Sequence, residues 1–205
     1  MLASISPLGE RARGQHWWLT AAWYLVASVA GGATTGVLAG GLGRLLRMAA
    51  TPSGASEFGL AAVVCLAGAT LDLWHRQVHL PTIHRQVNED WIVRFRGWVY
   101  GSAFGYQLGL GVVTIVTTAS VYAAVALSIL LGSIGAGVVV GAAFGMARAL
   151  PLFLIASARE PDELRAAHRR LQAWATPVHH VTVAALAFAT VASGVLAGRE
   201  LSWLA

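Results

Sequence analysis

The segment Gly97-Trp98-Val99-Tyr100-Gly101-Ser102-Ala103-Phe104-Gly105-Tyr106-Gln107-Leu108-Gly109 places a glycine at every fourth position. Residues four apart share one face of an α-helix, so this segment, folded as a helix, carries a groove bare of side chains. The spacing recurs at Gly32, Gly36 and Gly40 and at Gly137, Gly141 and Gly145, with a shorter echo at Gly194 and Gly198. In water each glycine costs a helix about 1 kcal/mol relative to alanine. In a bilayer the groove lets two helices approach closely and gain dispersion contacts, the main attraction available there. The pattern predicts an all-α integral membrane protein: a compact bundle of five transmembrane helices, or six, packed through glycine grooves.

Composition points the same way. The 205 residues are 57% hydrophobic and 11% charged, whereas soluble domains carry roughly 25% charged residues. A single membrane domain over residues 1–205 is expected. All 14 basic residues are arginine, and the net charge is +5. None forms a long basic run, and arginines beside apolar segments set membrane topology, so no nucleic-acid partner is expected. Cys65 is the single cysteine. This excludes an intramolecular disulfide, a CxxC pair and a cysteine metal cluster.

The expected spans are about 17–42, 58–74, 97–130, 132–158 and 178–198. Trp17, Trp18 and Trp23 open the first span, where an aromatic belt would lie. Residues 97–158 contain one charged residue, Arg148. If they make two crossings, Arg11, Arg13, Arg76, Arg85, Arg94, Arg96, Arg159, Arg165, Arg169 and Arg170 share one side, against Arg44, Arg47 and Arg199. If they make three, the arginines divide almost evenly. The positive-inside rule favours five spans with a cytoplasmic N-terminus, in the bacterial inner membrane. A broken or re-entrant segment near Gly109 to Thr118 would take up the surplus length. Residues 161–174 read as a separate helix on the membrane surface, with Leu164, Ala167, Leu171 and Trp174 on one stripe.

Arg148 and Asp72 are the charges expected inside the membrane, where a charge faces a partner or a wet cavity. Arg148 suits an anion, and Pro151 loosens the helix beside it. Gly109, Gly111, Thr114 and Thr117 form a second candidate, because glycines weaken the helix and hydroxyls replace missing backbone partners. Thr34 and Thr35 beside Gly36 make a related cluster, as an inverted-repeat transporter would show. Arg148, Thr114, Thr117, Gly109, Gly111 and Asp72 are therefore the candidate substrate pathway. His179 and His180 are weak metal or haem candidates, since adjacent residues point in different directions on a helix. No Ser-His-Asp set, phosphate loop or nucleotide fingerprint is visible, and no cofactor is predicted.

Phe104-Gly105-Tyr106-Gln107-Leu108-Gly109-Leu110-Gly111 and Ala143-Phe144-Gly145-Met146-Ala147-Arg148-Ala149-Leu150-Pro151 resemble two elements of the CcdA/DsbD-type membrane family in the lysine-exporter-like superfamily. The resemblance covers about a quarter of the chain. It implies a scaffold of inverted repeats, here degenerate, around a glycine-lined path. Where that family has Pro-Cys, this chain has Val112-Val113. A thiol relay needs two exchanging thiols, so electron transfer is not implied.

The resulting expectation is a small transporter or permease-like protein moving a small solute or anion. The alternative is a non-catalytic membrane scaffold or maturation subunit of a redox or cytochrome assembly; a weaker one is a membrane haem or redox protein. Expected partners are the lipid bilayer and either a second copy or a membrane subunit.

Overall fold

The computed structural model describes residues 5–49, 53–74, 94–111, 119–156, 158 and 160–204. Their regular structure is helical, with no strand among the described residues. The helices are α1 (Pro7–Ala12), α2 (Trp17–Ala49), α3 (Gly54–Leu73), α4 (Gly97–Leu110), α5 (Ser120–Leu131), α6 (Ile134–Ala149) and α7 (Pro161–Leu204), with a 3₁₀ turn, Leu150–Ile155, after α6. Four helices among the described residues are long and apolar enough to cross a membrane: Trp17–Ala49, Gly54–Leu73, Ile134–Ile155 and Asp162–Ser202.

Local chemistry sets the helix ends. Ser6 caps α1 by accepting from the Gly9 amide at 3.1 Å, and Pro7 occupies the first turn, where its missing N–H is no loss. Ser53 caps α3 through the Ser56 amide at 3.3 Å. Helix α4 stops at Gly111, whose φ of 71° lies in the region that side chains disfavour. The predicted span over 97–130 is thus divided into α4 and α5, and residues 112–118 between them lie outside the described residues.

Helix α7 differs from expectation. The sequence predicts a surface helix over 161–174 and a span over 178–198 as separate elements, but one 44-residue helix runs through both, with Pro177 inside it. Proline removes one hydrogen bond, to the carbonyl four residues earlier. The helical segments on either side are long enough to carry the continuity across that gap.

The chain divides into two compact units. The first comprises Met1–Thr35, Thr82–Ile115 and Val139–Thr176. Its core gathers Ile5, Trp17, Ala21, Tyr24, Tyr100, Phe104, Ala149, Leu152 and Ile155. Here α2 is lined by glycine on two sides. Gly101, Gly105 and Gly109 of α4 face Thr20, Tyr24 and Ser28, so the two helices run parallel in steps of four. Gly145 faces Ser28 and Gly32 faces Gly141, so α6 runs antiparallel to α2. A methyl group on Gly32 would overlap the Gly141 carbonyl oxygen and come within 3.0 Å of the Gly145 nitrogen. These are contacts of backbone on backbone.

The second unit comprises Gly36–Pro81, Val116–Val138 and Pro177–Ala205. Gly36 meets the Gly137 backbone, Gly40 would place a Cβ 2.5 Å from the Ser133 carbonyl oxygen, and Gly43 meets Ile129. Cys65, Ala69, Ala123 and Leu186 form a small core where α3, α5 and α7 meet. Asp72 is fully buried at the end of α3 and accepts the Ala119 amide at the start of α5. It caps a helix 47 positions away, satisfying a donor that has no partner within its own helix. Arg47 bonds the Leu130 carbonyl at 2.7 Å and pairs with Glu57 at 2.9 Å. Gly194 and Gly198 behave differently from the other glycines: an added methyl on either would meet nothing within 4 Å.

Candidate functional site

Two polar centres sit in the first unit. One surrounds Arg148, near the C-terminal end of α6. Its guanidinium lies 5.5 Å from the centroid of the Phe144 ring, one turn earlier on the same helix. Helical side chains lean toward the helix N-terminus, which brings residue i over residue i−4. Arg148 Nη1 is buried without a hydrogen-bond partner. Nearby, the Ser28 hydroxyl donates to the Gly145 carbonyl at 2.8 Å, tying α2 to α6 one turn before the arginine. Tyr24, one turn before Ser28, is buried in the same core as Ala149. The site is a half-buried guanidinium held by an aromatic face, and its chemistry suits an oxyanion.

The other centre is Glu10, and the sequence reading missed it. Glu10 is 0% exposed although it stands on a six-residue helix. Its carboxylate takes hydrogen bonds from Thr20 at 2.9 Å, from Arg13 at 2.6 Å and from the Tyr100 hydroxyl. Gln15 accepts the Gly97 amide at 3.3 Å beside it, and Trp17 Nε1 donates to the Ile5 carbonyl at 3.2 Å. Each carboxylate oxygen is satisfied, so this centre is a lock joining α1, α2 and α4, not an open binding site. The i,i+3 spacing of Glu10 and Arg13 is its only local signal. The contact with Tyr100 spans 90 positions.

The candidate pathway residues fall in different places. Gly109 packs against the Ser28 backbone. Gly111 follows the end of α4, where the Thr35 hydroxyl donates to the Leu110 carbonyl at 3.0 Å and Tyr106 donates to Thr34 at 3.2 Å. The Thr34–Thr35 and Gly109–Gly111 clusters are therefore brought together. The Thr35 hydroxyl is used on backbone left over at a helix end, and the Thr34 hydroxyl donates to the Ala30 carbonyl of its own helix at 2.9 Å. Thr114 and Thr117 lie outside the described residues. Asp72 belongs to the second unit as the cap of α5. His179 and His180 have ring centroids 6.0 Å apart, and no group of three or more possible metal ligands occurs among the described residues.

A groove of about 490 Å³ in the first unit is lined by Leu154, Ala158 and one face of α7, including Glu163, Arg170 and Trp174. It is amphipathic, with apolar walls and charges of both signs.

No protein-family model matches the chain, and no solved structure matches it. Curated relatives do. The methylamine utilization protein MauF of Paracoccus denitrificans is 30% identical over 203 residues, covering 96% of this chain and 68% of that one. MauF of Paracoccus versutus is 32% identical over 154 residues, covering 74% of this chain and 55% of that one. MauF of Methylorubrum extorquens is 36% identical over 94 residues, covering 46% of this chain and 33% of that one. The chain thus spans between about half and two thirds of the length of the two Paracoccus relatives. These matches correct the resemblance to the CcdA/DsbD-type family. The segments that carried it are glycine runs and a helix ending in proline, and close helix packing selects such residues in many membrane bundles. The alignment over nearly the whole chain is what decides: this protein belongs to the MauF family of methylamine utilization proteins.

Proposed function

We propose that this chain is a membrane-embedded accessory protein of methylamine utilization, acting in the maturation or assembly of other components. The observation that carries the reading is the 30% identity to Paracoccus denitrificans MauF over 96% of the chain. The long apolar helices and the glycine seams between backbones support a bilayer as the solvent. Solute transport is not part of the reading, because neither the relatives' name nor the polar groups of the first unit point to it.

The proposed topology has five crossings with the N-terminus in the cytoplasm. In the first unit α4 runs parallel to α2 and α6 runs antiparallel to it. Five crossings, with residues 97–131 crossing once, give this alternation. Six would make α4 and α6 run the same way.

The test is deletion of the gene in its own host. Growth on methylamine should be lost while growth on an unrelated carbon source persists. Uptake of radiolabelled methylamine by the deletion strain should match that of the wild type. Undiminished growth on methylamine contradicts the reading, and loss of uptake restores transport.

A further inference from the structure

Arg148 stands apart from the other arginines with contacts in the structure. Arg13 has Glu10 at 2.6 Å, Arg47 has Glu57 at 2.9 Å, and Arg165 has Asp162 at 2.9 Å. Arg148 makes neither an ion pair nor a hydrogen bond among the described residues, and its Nη1 is buried.

Its depth narrows what can face it. Phe153, in the 3₁₀ turn after α6, lies against Trp17 and Trp18, with ring centroids 6.3 and 6.4 Å apart. Trp17 is buried in the core, but Trp18 is exposed at the start of α2, where the sequence places the aromatic belt. Arg148 precedes Phe153 by five residues, which puts its Cα roughly 9 Å inside that belt at α-helical and 3₁₀ rises. The side chain does not turn back toward the belt. It lies over Phe144, whose Cα is roughly 15 Å inside by the same rises. Half the hydrocarbon thickness is also about 15 Å. The guanidinium therefore points toward mid-membrane, opposite to the direction in which a snorkelling arginine would meet lipid phosphates. A charge at that depth is costly until a counter-charge reaches it. Beside it, Ala143, Ala147 and Leu150 are exposed at spacings of four and three, an apolar face against which a second helix can lie.

We infer that Arg148 is the counter-charge for a carboxylate carried at mid-membrane depth by a membrane helix of a partner protein. The inference rests on the reading of the chain as an accessory membrane subunit. Guanidinium and carboxylate match as a two-pronged fork, and the pair is neutral, so burying it between two helices removes the isolated charge from the lipid.

The test uses the full chain, both purified in detergent and in its host. Arg148→Met keeps the side chain's length and removes its charge. In the purified chain its melting temperature should equal or exceed that of the wild type, because Arg148 makes no ion pair or hydrogen bond among the described residues, and removing a half-buried charge offsets the lost contact with the Phe144 ring. In the host, growth on methylamine should be lost at normal membrane levels of the protein. Arg148→Glu should also lose growth, and suppressors should replace an aspartate or glutamate in a membrane helix encoded by another gene. A markedly lower melting temperature for Arg148→Met would mean that the arginine has a partner inside the chain, and would overturn the inference. So would normal growth of Arg148→Met, or suppressors confined to this gene. Phosphatidylglycerol vesicles that stabilise the wild type but not Arg148→Met, relative to phosphatidylcholine vesicles, would assign the anion to lipid and overturn it as well. If deletion of the gene itself leaves growth intact, the functional reading fails. If deletion matters and Arg148→Met does not, the inference alone fails.

Discussion

Gly32 and Gly198 carry the same sequence signature and lead opposite structural lives. Gly32 lies on α2 with the Gly141 carbonyl where its Cβ would be, whereas Gly198 lies on α7 with nothing within 4 Å. Both belong to runs of glycine at intervals of four in apolar helices. The first run is a seam where backbones touch. The second is an open face flanked by Phe188, Val191 and Val195, which are 76%, 65% and 57% exposed. Glycine spacing thus reports that a helix is able to pack closely, and the neighbouring helix decides whether it does.

Substitution along the two runs would break or sharpen that contrast. Gly36→Leu should have the largest effect, because the side chain would have to displace the Gly137 backbone. A loss of at least about 3 kcal/mol is expected, beyond ordinary overpacking of side chains. Thermal unfolding in detergent, or resistance to limited proteolysis, would show it, and a fully stable variant would mean that α2 and α6 are not in contact.

Glu10→Ala comes next. It leaves the Thr20 and Tyr100 hydroxyls and the Arg13 guanidinium without their shared acceptor. Arg13 is partly exposed and recovers water, so the expected loss is about 2–3 kcal/mol. The same unfolding measurement checks it. A loss within a few tenths of a kcal/mol would show that α1 is not locked to α2 and α4.

Arg47→Met should cost only about 1 kcal/mol. Its pair with Glu57 is between half-exposed side chains, and one carbonyl bond is lost with it. This variant calibrates Arg148→Met, which removes an arginine without such bonds among the described residues.

Gly198→Ala should have the smallest effect. The methyl meets open space, so the change should leave stability unaltered or raise it by up to about 1 kcal/mol through helix propensity. Destabilisation, or a change in oligomeric state by light scattering, would show that this face is covered.

The long apolar helices were legible from composition and glycine spacing, because charge-poor apolar runs and glycines at intervals of four both suit packed helices. The partners of each helix were not. Glu10 reads as an ordinary acid in sequence until Tyr100, 90 positions on, closes over it. Asp72 reads as a charge at risk in the membrane until the start of α5 supplies an amide. Residues 161–174 and 178–198 read as separate elements, because sequence does not show that one helix can run through Pro177. Arg148 reads from sequence as a charge inside the membrane, and its orientation over Phe144 required coordinates. The mistaken family resemblance has the same origin. Glycine runs describe packing, and unrelated bundles share packing demands.

The most direct test of the account is complementation of a Paracoccus denitrificans strain that lacks its own MauF. The present chain, expressed there and confirmed in the membrane fraction, should restore growth on methylamine. Absence of growth with the chain present in the membrane, where the strain's own gene restores it, would contradict the proposed function.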